Sequence, residues 1–398
     1  MKTLKLQENL YYIGVVDPLL EIFDVVVRTD YGSSFNSYLL KTDAGVVLFE
    51  TVKERDFDTY LNNINAVSNI KDVKYLVMEH AEPDHSGSIK RLLEVNPNIK
   101  IVATKAALLN ITEITNMKFD SIQANPSEPL TVGNYTLSFV KAPFLHWPDT
   151  MYTYINEMHA LVTCDSFGAH YAHPGVLLSN LREELQKDYE DALIFYIDHI
   201  FYPYLKYMQQ AIAKVEKMNI ELILPGHGPV IDTKVKETIA FVKEHSMPKE
   251  IKEEAVIVYS SAYGYTKDLA KEIETTLKSI DYPFISYEID IRNYDKVKAE
   301  IVEKLGTDKY VFIGSPTINN DCLPCFRDLL SELLATAKRK QTAMSFGTYG
   351  WTGEAVKFID VRLNELKFNV APNFVNKFRP TSDDLSIISH MVLDIVKK

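Results

Sequence analysis

The feature that most constrains this chain is a change of rhythm near residue 250. From Ala255 onward, apolar runs alternate strictly with amphipathic ones. Strands are predicted over Ala255–Tyr259, Phe284–Ile289, Tyr310–Ile313 and Thr342–Phe346, with a weaker one near Phe368–Ala371. Helices are predicted over Thr266–Ile280, Asp295–Leu305, Pro324–Ala337 and Gly353–Leu363, with a last one over Ser382–Lys397. Parallel strands cannot be joined by tight turns and need crossover helices, so this alternation predicts a five-stranded, doubly wound parallel sheet. The polar stretch Ser246–Glu254 precedes it and contains Pro248, which stops a helix. Two domains, 1–250 and 254–398, are therefore expected, as 398 residues exceed one ordinary core.

The first part has a different grammar. Short strands are predicted over Leu10–Val16, Phe23–Arg28, Ser37–Lys41, Val46–Glu50, Tyr75–Met78, Ile99–Thr104, Tyr135–Val140 and Tyr152–Ile155. Helices are predicted over Phe57–Ala66 and after Ser86, with long amphipathic patterns over Tyr189–Lys217 and Thr233–His245. Strands first, helices interspersed and reactive residues on loops suggest two sheets covered outside by helices. No internal repeat or low-complexity tract is found.

Composition excludes several functions. A net charge of -11 argues against nucleic acid as the main partner, because phosphate binding needs a basic surface. No run approaches the roughly 18 apolar residues of a membrane helix, and residues 1–17 lack the charged leader and apolar core of a signal peptide. Three cysteines (Cys164, Cys322, Cys325) make no disulfide framework, which fits a reducing cytoplasm.

The densest chemistry follows the Tyr75–Met78 strand: His80-Ala81-Glu82-Pro83-Asp84-His85 places four candidate metal ligands in one turn. Matching pieces come later in order, with His146 before Trp147-Pro148, Asp165 after Cys164, and His227 between Gly226 and Gly228. Loop histidines and aspartates are common singly. Seven of them in order beside glycine or proline turns are not, and four imidazoles with three carboxylates can serve two adjacent ions. Carboxylate-rich sets suit iron, whereas zinc hydrolases favour imidazole and thiolate. Three carboxylates leave two divalent ions with net positive charge, able to attract an electron-accepting ligand. Of the other histidines, His170 and His173 follow Asp165 closely enough for a supporting role, while His159, His199, His245 and His390 read as surface or packing residues.

In the second part, three loops fall at strand ends: Ser260-Ser261-Ala262-Tyr263-Gly264-Tyr265-Thr266, Ser315-Pro316-Thr317-Ile318-Asn319-Asn320, and Gly347-Thr348-Tyr349-Gly350-Trp351-Thr352-Gly353. The first can wrap a phosphate with backbone N–H groups and a helix N-terminus. It carries neither a nucleoside-triphosphate nor a dinucleotide fingerprint. Hydroxyls and amides in the others can address a ribityl chain and ring edge, and Tyr349 and Trp351 can stack on a flat ring. Cys322 and Cys325 read as small residues capping a helix rather than a redox dithiol.

The His-x-Glu-x-Asp-His run with the later His, Asp and His resembles the metallo-β-lactamase-like domain of flavodiiron proteins. Hydrolases of that superfamily typically carry His-x-His-x-Asp-His, so Glu82 marks the diiron branch. The three loops resemble a flavodoxin domain binding FMN, and Ser315–Asn320 looks like the flavodiiron version. The resemblance implies an αββα sandwich followed by a flavodoxin-like domain, with two iron ions and FMN as cofactors. It assigns His80, Glu82 and His146 to one iron, Asp84, His85 and His227 to the other, and Asp165 as the bridge. It further implies reduction of dioxygen to water or of nitric oxide to nitrous oxide. The electrons would come from a separate donor, rubredoxin or a deazaflavin. Head-to-tail homodimers, or dimers of them, are also implied. With no rubredoxin-like Cys-x-x-Cys pair or reductase module after the last helix, the chain resembles the minimal class of that family. Two other readings stand beside this one: a zinc hydrolase fused to a flavodoxin regulator, and a non-enzymatic electron-transfer or gas-sensing module.

Overall fold

The computed structural model describes residues 3–247, 250–334 and 339–397. They form two compact units, 1–248 and 249–398.

The first unit is a four-layer αββα sandwich. One sheet has seven strands in the order Leu4–Gln7, Leu10–Tyr12, Tyr38–Thr42, Gly45–Phe49, Val73–Met78, Lys100–Ala103, Ser121–Gln123. The other has five: Leu130–Val132, Tyr135–Lys141, Met151–Ile155, Ala160–Cys164 and Leu222–Pro225. Strand side chains alternate between faces, and the cores follow that period. Val47, Phe49, Val77, Ala160, Val162 and Leu224 fill the space between the sheets. Val46, Leu48, Leu76 and Met78 point the other way, against Phe57–Val67, Ile89–Val95 and Lys105–Thr115. Tyr152, Leu161 and Ile223 do the same on the second sheet, beneath Gln186–Tyr196, Leu205–Val215 and Val235–His245.

Three expected elements differ. The single amphipathic pattern over Tyr189–Lys217 is two α-helices, joined through a π-helical turn over Ile197–Phe201 and a 3-10 turn over Tyr202–Tyr204. Pro203 explains the break, since it has no N–H to continue the ladder. Phe23–Arg28 is a tight hairpin of Ile22–Phe23 and Val27–Arg28, with Asp24 and Val25 at positive φ. Leu10–Val16 divides into Leu10–Tyr12 and Val15–Asp17, and the latter pairs with Ser33–Phe35 in a separate ribbon.

In the second unit all strands are parallel, in the order Phe284–Glu288, Lys252–Tyr259, Asp308–Gly314, Thr342–Tyr349. The expected fifth strand is two pieces, Asn369–Val370 and Phe374–Lys377, both paired to Thr342–Tyr349. Pro372 lies between them and cannot donate to the ladder. Strand order therefore reverses between Lys252–Tyr259 and Asp308–Gly314, the switch point at which sheets of this kind bind ligands. The helix expected over Pro324–Ala337 spans Pro324–Ser331, and residues 335–337 lie outside the described residues. Its N-cap is Leu323, not a cysteine; Cys322 packs in the core and all three cysteines are free thiols.

Candidate metal centre and flavin pocket

All seven candidate metal ligands belong to turns at one end of the sandwich. Val73–Met78 runs out of ladder partners, and Pro83 then opens a single helical turn, Pro83–Ser86, with Glu82 as its N-cap. That turn buries Asp84 and His85. Asp165 follows Ala160–Cys164 in a tight turn closed by the Gly168 N–H donating to its carbonyl at 2.9 Å. His227 follows Leu222–Pro225. A side chain at Gly226 would meet His85 Cε1 at 2.7 Å, so only glycine lets the two turns approach this closely. Asn36 fixes the His227 turn, its amide donating to the carbonyls of Pro225 at 2.8 Å and Gly228 at 2.9 Å. His227 Nδ1 lies 2.6 Å from the Ser34 carbonyl, which points Nε2 inward.

The ligand atoms converge in two sets. Glu82 Oε2 is 2.9 Å from His146 Nε2 and 3.3 Å from His80 Nε2. Asp84 Oδ2 is 3.1 Å from His227 Nε2 and 3.3 Å from His85 Nε2. Asp165 faces both: Oδ2 stands 3.7 and 3.8 Å from His80 and His146, and Oδ1 stands 3.0 and 3.3 Å from His85 and His227. The group His80, Glu82, His146, Asp165 and the group Asp84, His85, His227 each bring their ligand atoms within 4.8 Å of one another.

The residues fit metal ions for a physical reason. Asp84 Oδ1 and Oδ2, Asp165 Oδ2 and His227 Nε2 are buried without a hydrogen-bond partner. Buried polar atoms are normally paired. His80 and His146 align with Glu82, and His85 with Asp165, but these four atoms stand close to imidazole or carboxylate without such alignment, aimed at shared points between the ligands. The electrostatics agree. Burial opposes charge on His227, yet the Asp165 and Asp84 carboxylates hold its pKa up, at about 10. Burial likewise opposes the Asp165 charge, but His85 and His227 hold its carboxyl well below the usual range. This is a strongly anionic pocket, and the potential that charges its own imidazoles also favours divalent cations.

Around the ligands stand residues that the sequence reading did not single out. Asp149 meets His80 Nδ1 at 3.0 Å, and the Tyr196 hydroxyl donates to Asp165 Oδ1 at 3.1 Å. Glu50 Oε1 accepts from the Glu79 N–H at 2.6 Å. His170 takes a supporting place: Nδ1 is 2.9 Å from Ser33 Oγ, and its ring packs on Phe23, Tyr196 and His227. Burial, then the charge on His227, push its pKa down to about 2, so it is neutral. His173 is not among the converging atoms. His159, His199, His245 and His390 bond locally to Tyr154, Phe195, Phe241 and Ser386. Cys164 is fully buried, with Sγ 3.6 Å from His85 Nδ1. A cavity of about 500 Å³, walled by Asp24, Lys53, Arg55 and Lys90, opens onto Glu82 and Asp84.

In the second unit a cavity of about 300 Å³ lies at the switch point. Its walls are Ala262, Tyr263, Tyr265, Pro316, Thr317, Ile318, Asn319, Asn320, Thr348, Tyr349, Gly350, Trp351 and Thr352, joined by Phe378, which the sequence reading did not name. The other expected loop residues support these walls from behind. Thr266 and Thr348 hydroxyls are 2.8 Å apart, the Leu323 N–H donates to Ser315 Oγ, and the Lys267 N–H donates to Ser261 Oγ. Ser260 bonds to the Gly314 carbonyl; Gly264 and Gly353 are helix N-caps. A side chain at Gly347 would strike the Ser315 carbonyl.

Comparison with known proteins gives the same two parts. Residues 34–228 match the family described as ODP family beta lactamase, and residues 257–386 match flavodoxin. Over 391 residues the chain is 36% identical to the Flavo-diiron protein FprA2 of Clostridium acetobutylicum, covering 97% of this chain and 96% of that one. The chain belongs to the flavodiiron proteins. FMN and a diiron centre are the cofactors of this family. A nitric oxide reductase of Moorella thermoacetica is 27% identical over 95% of this chain and 94% of its own length. Two solved structures share the fold: rubredoxin oxygen:oxidoreductase from Desulfovibrio gigas and the flavodiiron protein of Giardia intestinalis. The first has a TM-score of 0.73 at 23% identity over 100% of this chain and 98% of that one. The second has 0.69 at 26% identity over 100% and 96%.

Proposed function

We propose that this flavodiiron protein is a reductase of dioxygen to water or of nitric oxide to nitrous oxide. On this reading His80, Glu82 and His146 hold one iron, Asp84, His85 and His227 the other, and Asp165 bridges them. The observation that carries it is Asp165, whose two oxygens face the two separate ligand sets. When bound, FMN and the iron pair supply four stored electrons, the number that takes dioxygen to water without releasing peroxide.

The protein's own residues supply the rest. The Tyr196 phenol stays protonated, because burial and then the Asp165 charge hold its pKa well above the usual range. It therefore donates a hydrogen bond at the bridging carboxylate. Phe23, Phe35 and His170 close the pocket beside His227 and keep bulk water from it. The cavity onto Glu82 and Asp84 gives a small neutral gas and protons a way in. Seven protein ligands are too few to fill the coordination of two ions, so positions would remain for substrate.

Electrons come from a separate carrier, a rubredoxin-like protein or a deazaflavin, and the protein works in the cytoplasm. A head-to-tail homodimer, or a pair of such dimers, brings one copy's flavin to the other's metals. Two surfaces support this. In the first unit Leu19, Ile22, Val25 and Val26 expose apolar side chains on and beside the hairpin that carries Phe23. In the second, Tyr263, Trp351 and Phe378 stand exposed at the flavin pocket. Apolar patches of this kind mark interfaces. No helix of the described residues is long and apolar enough to cross a membrane. The zinc-hydrolase reading is disfavoured by Glu82, which puts a carboxylate where such an enzyme holds an imidazole.

The test is rapid anaerobic mixing of fully reduced protein with each gas, following flavin absorbance. Flavin oxidation within the mixing experiment, with water or nitrous oxide as product, is expected. Zinc in place of iron, or peroxide as the main product, would refute the proposal.

A further inference from the structure

Asp149 follows the candidate ligand His146 by three residues yet acts on a different ligand. It is fully buried. Its Oδ1 lies 3.0 Å from His80 Nδ1, and its Oδ2 accepts from the Ala81 N–H at 3.0 Å and from Asn110 Nδ2 at 3.4 Å. Its own carbonyl accepts from Thr104 Oγ1 at 2.8 Å, which ties the carboxylate to the start of Lys105–Thr115. The Trp147 ring, at 5.1 Å and nearly perpendicular, closes one face of His80. Both carboxylate oxygens and the imidazole are thus fixed, and Nε2 is the nitrogen turned toward Glu82 and Asp165.

The other ligand set is built differently. His227 Nδ1 meets a neutral carbonyl, Ser34 O, at 2.6 Å. His85 Nδ1 has Glu50 Oε2 only at 3.7 Å and the Cys164 sulfur at 3.6 Å. Just one of the two sets has a carboxylate hydrogen-bonded directly behind an imidazole. A carboxylate in that place fixes the tautomer and makes the imidazole a stronger donor.

Building on the proposed ligand sets, we propose that Asp149 is a positioning residue. It holds His80 as an Nε2 donor and makes the iron held by His80, Glu82 and His146 the more electron-rich, harder-to-reduce member of the pair. The two irons of this protein are therefore inequivalent by construction. Asp84, His85 and His227, with no carboxylate hydrogen-bonded behind an imidazole, would leave their ion the easier of the two to reduce.

The decisive variant is Asp149→Asn in the FMN-loaded protein. The Ala81 N–H keeps the amide oxygen, so the amide nitrogen faces His80 Nδ1. His80 then carries its proton on Nε2 and cannot ligate well. Iron titration should show one ion bound as in the wild type and the other weakened roughly 10–100-fold. With excess iron, the midpoint potential of the later reduction step should rise, and the mixed-valence EPR signal should change. Asp149→Glu should recover affinity and signal in part. Two ions bound as in the wild type with unchanged EPR and potential would overturn the proposal. So would equal loss of both ions without recovery by Glu, which would mark a merely structural residue. Should neither variant fold, zinc-loaded wild-type protein with ¹⁵N-labelled histidine decides. A slowly exchanging His80 Nδ1–H proton shifted downfield is expected, and an unprotonated Nδ1 overturns the inference. Failure of the underlying function is seen separately, as wild-type protein that takes up no iron or whose reduced flavin reacts with neither gas.

Discussion

Iron uptake should be strongly pH-dependent, because each ion must displace a proton from a fully buried imidazole. In the metal-free protein burial opposes the charge on His227, but Asp165 and Asp84 outweigh it and raise its pKa to about 10. His80 is raised as well, burial being outweighed by Asp149 and Glu82. At pH 7 the His227 proton lies about three units below its pKa, so removing it costs about 4 kcal/mol. Affinity for the ion held with His227 should then rise about tenfold per pH unit between pH 6 and 8.5, and affinity for the ion held with His80 should rise in the same direction. The sign for the metal-free fold is the reverse. His227 has a folded pKa above its unfolded one, so its contribution is full below about pH 6.5 and is lost as pH rises through about 10. Anaerobic titration of apoprotein with Fe²⁺ against a chelator, repeated across this range, measures the slope. One proton released with the ion that His227 holds is the expected value. A flat profile would refute the electrostatic picture, since it would mean the imidazoles are neutral before metal arrives.

Glu82→His should shift purified protein from iron toward zinc, read by elemental analysis, because it replaces a hard ligand with a borderline one. Asn36→Ala removes two buried hydrogen bonds at the His227 turn, leaving only Tyr38 on the Pro225 carbonyl and Ser34 on that of Gly228; it should cost about 1–3 kcal/mol in urea unfolding and weaken uptake of one ion. Gly347→Ala forces a side chain against the Ser315 carbonyl between two flavin loops, so FMN affinity should fall at least tenfold by fluorescence titration while the first unit stays folded. A Val25→Asp, Val26→Asp double variant should shift sedimentation from dimer toward monomer and slow flavin oxidation by gas, without changing iron content.

The seven candidate ligands are legible in the sequence because metal binding demands particular residue types, and strand ends supply them in chain order. The residues behind them are less visible. Glu50 and Tyr196 reach the site only through folding, from positions far along the chain. Asp149 did leave a trace, as a carboxylate directly after Pro148 in the His146 run, but its partner His80 lies 69 positions away. Proline set the two clearest limits on reading the fold. Pro203 divides one apparent helix, and Pro372 divides one apparent strand and hides the piece that leads to Phe378. The flavin loops were readable because a doubly wound sheet binds at strand ends. Which loop residues form the wall and which brace it depends on burial, and burial of Thr266 and Ser315 is not written in their types.

The most direct test of the whole account is a crystal of iron-loaded protein measured at the iron absorption edge. Two anomalous peaks are predicted in the first unit, one among His80, Glu82 and His146 and one among Asp84, His85 and His227, with Asp165 touching both. A single peak, or two peaks without Asp165 between them, would contradict it.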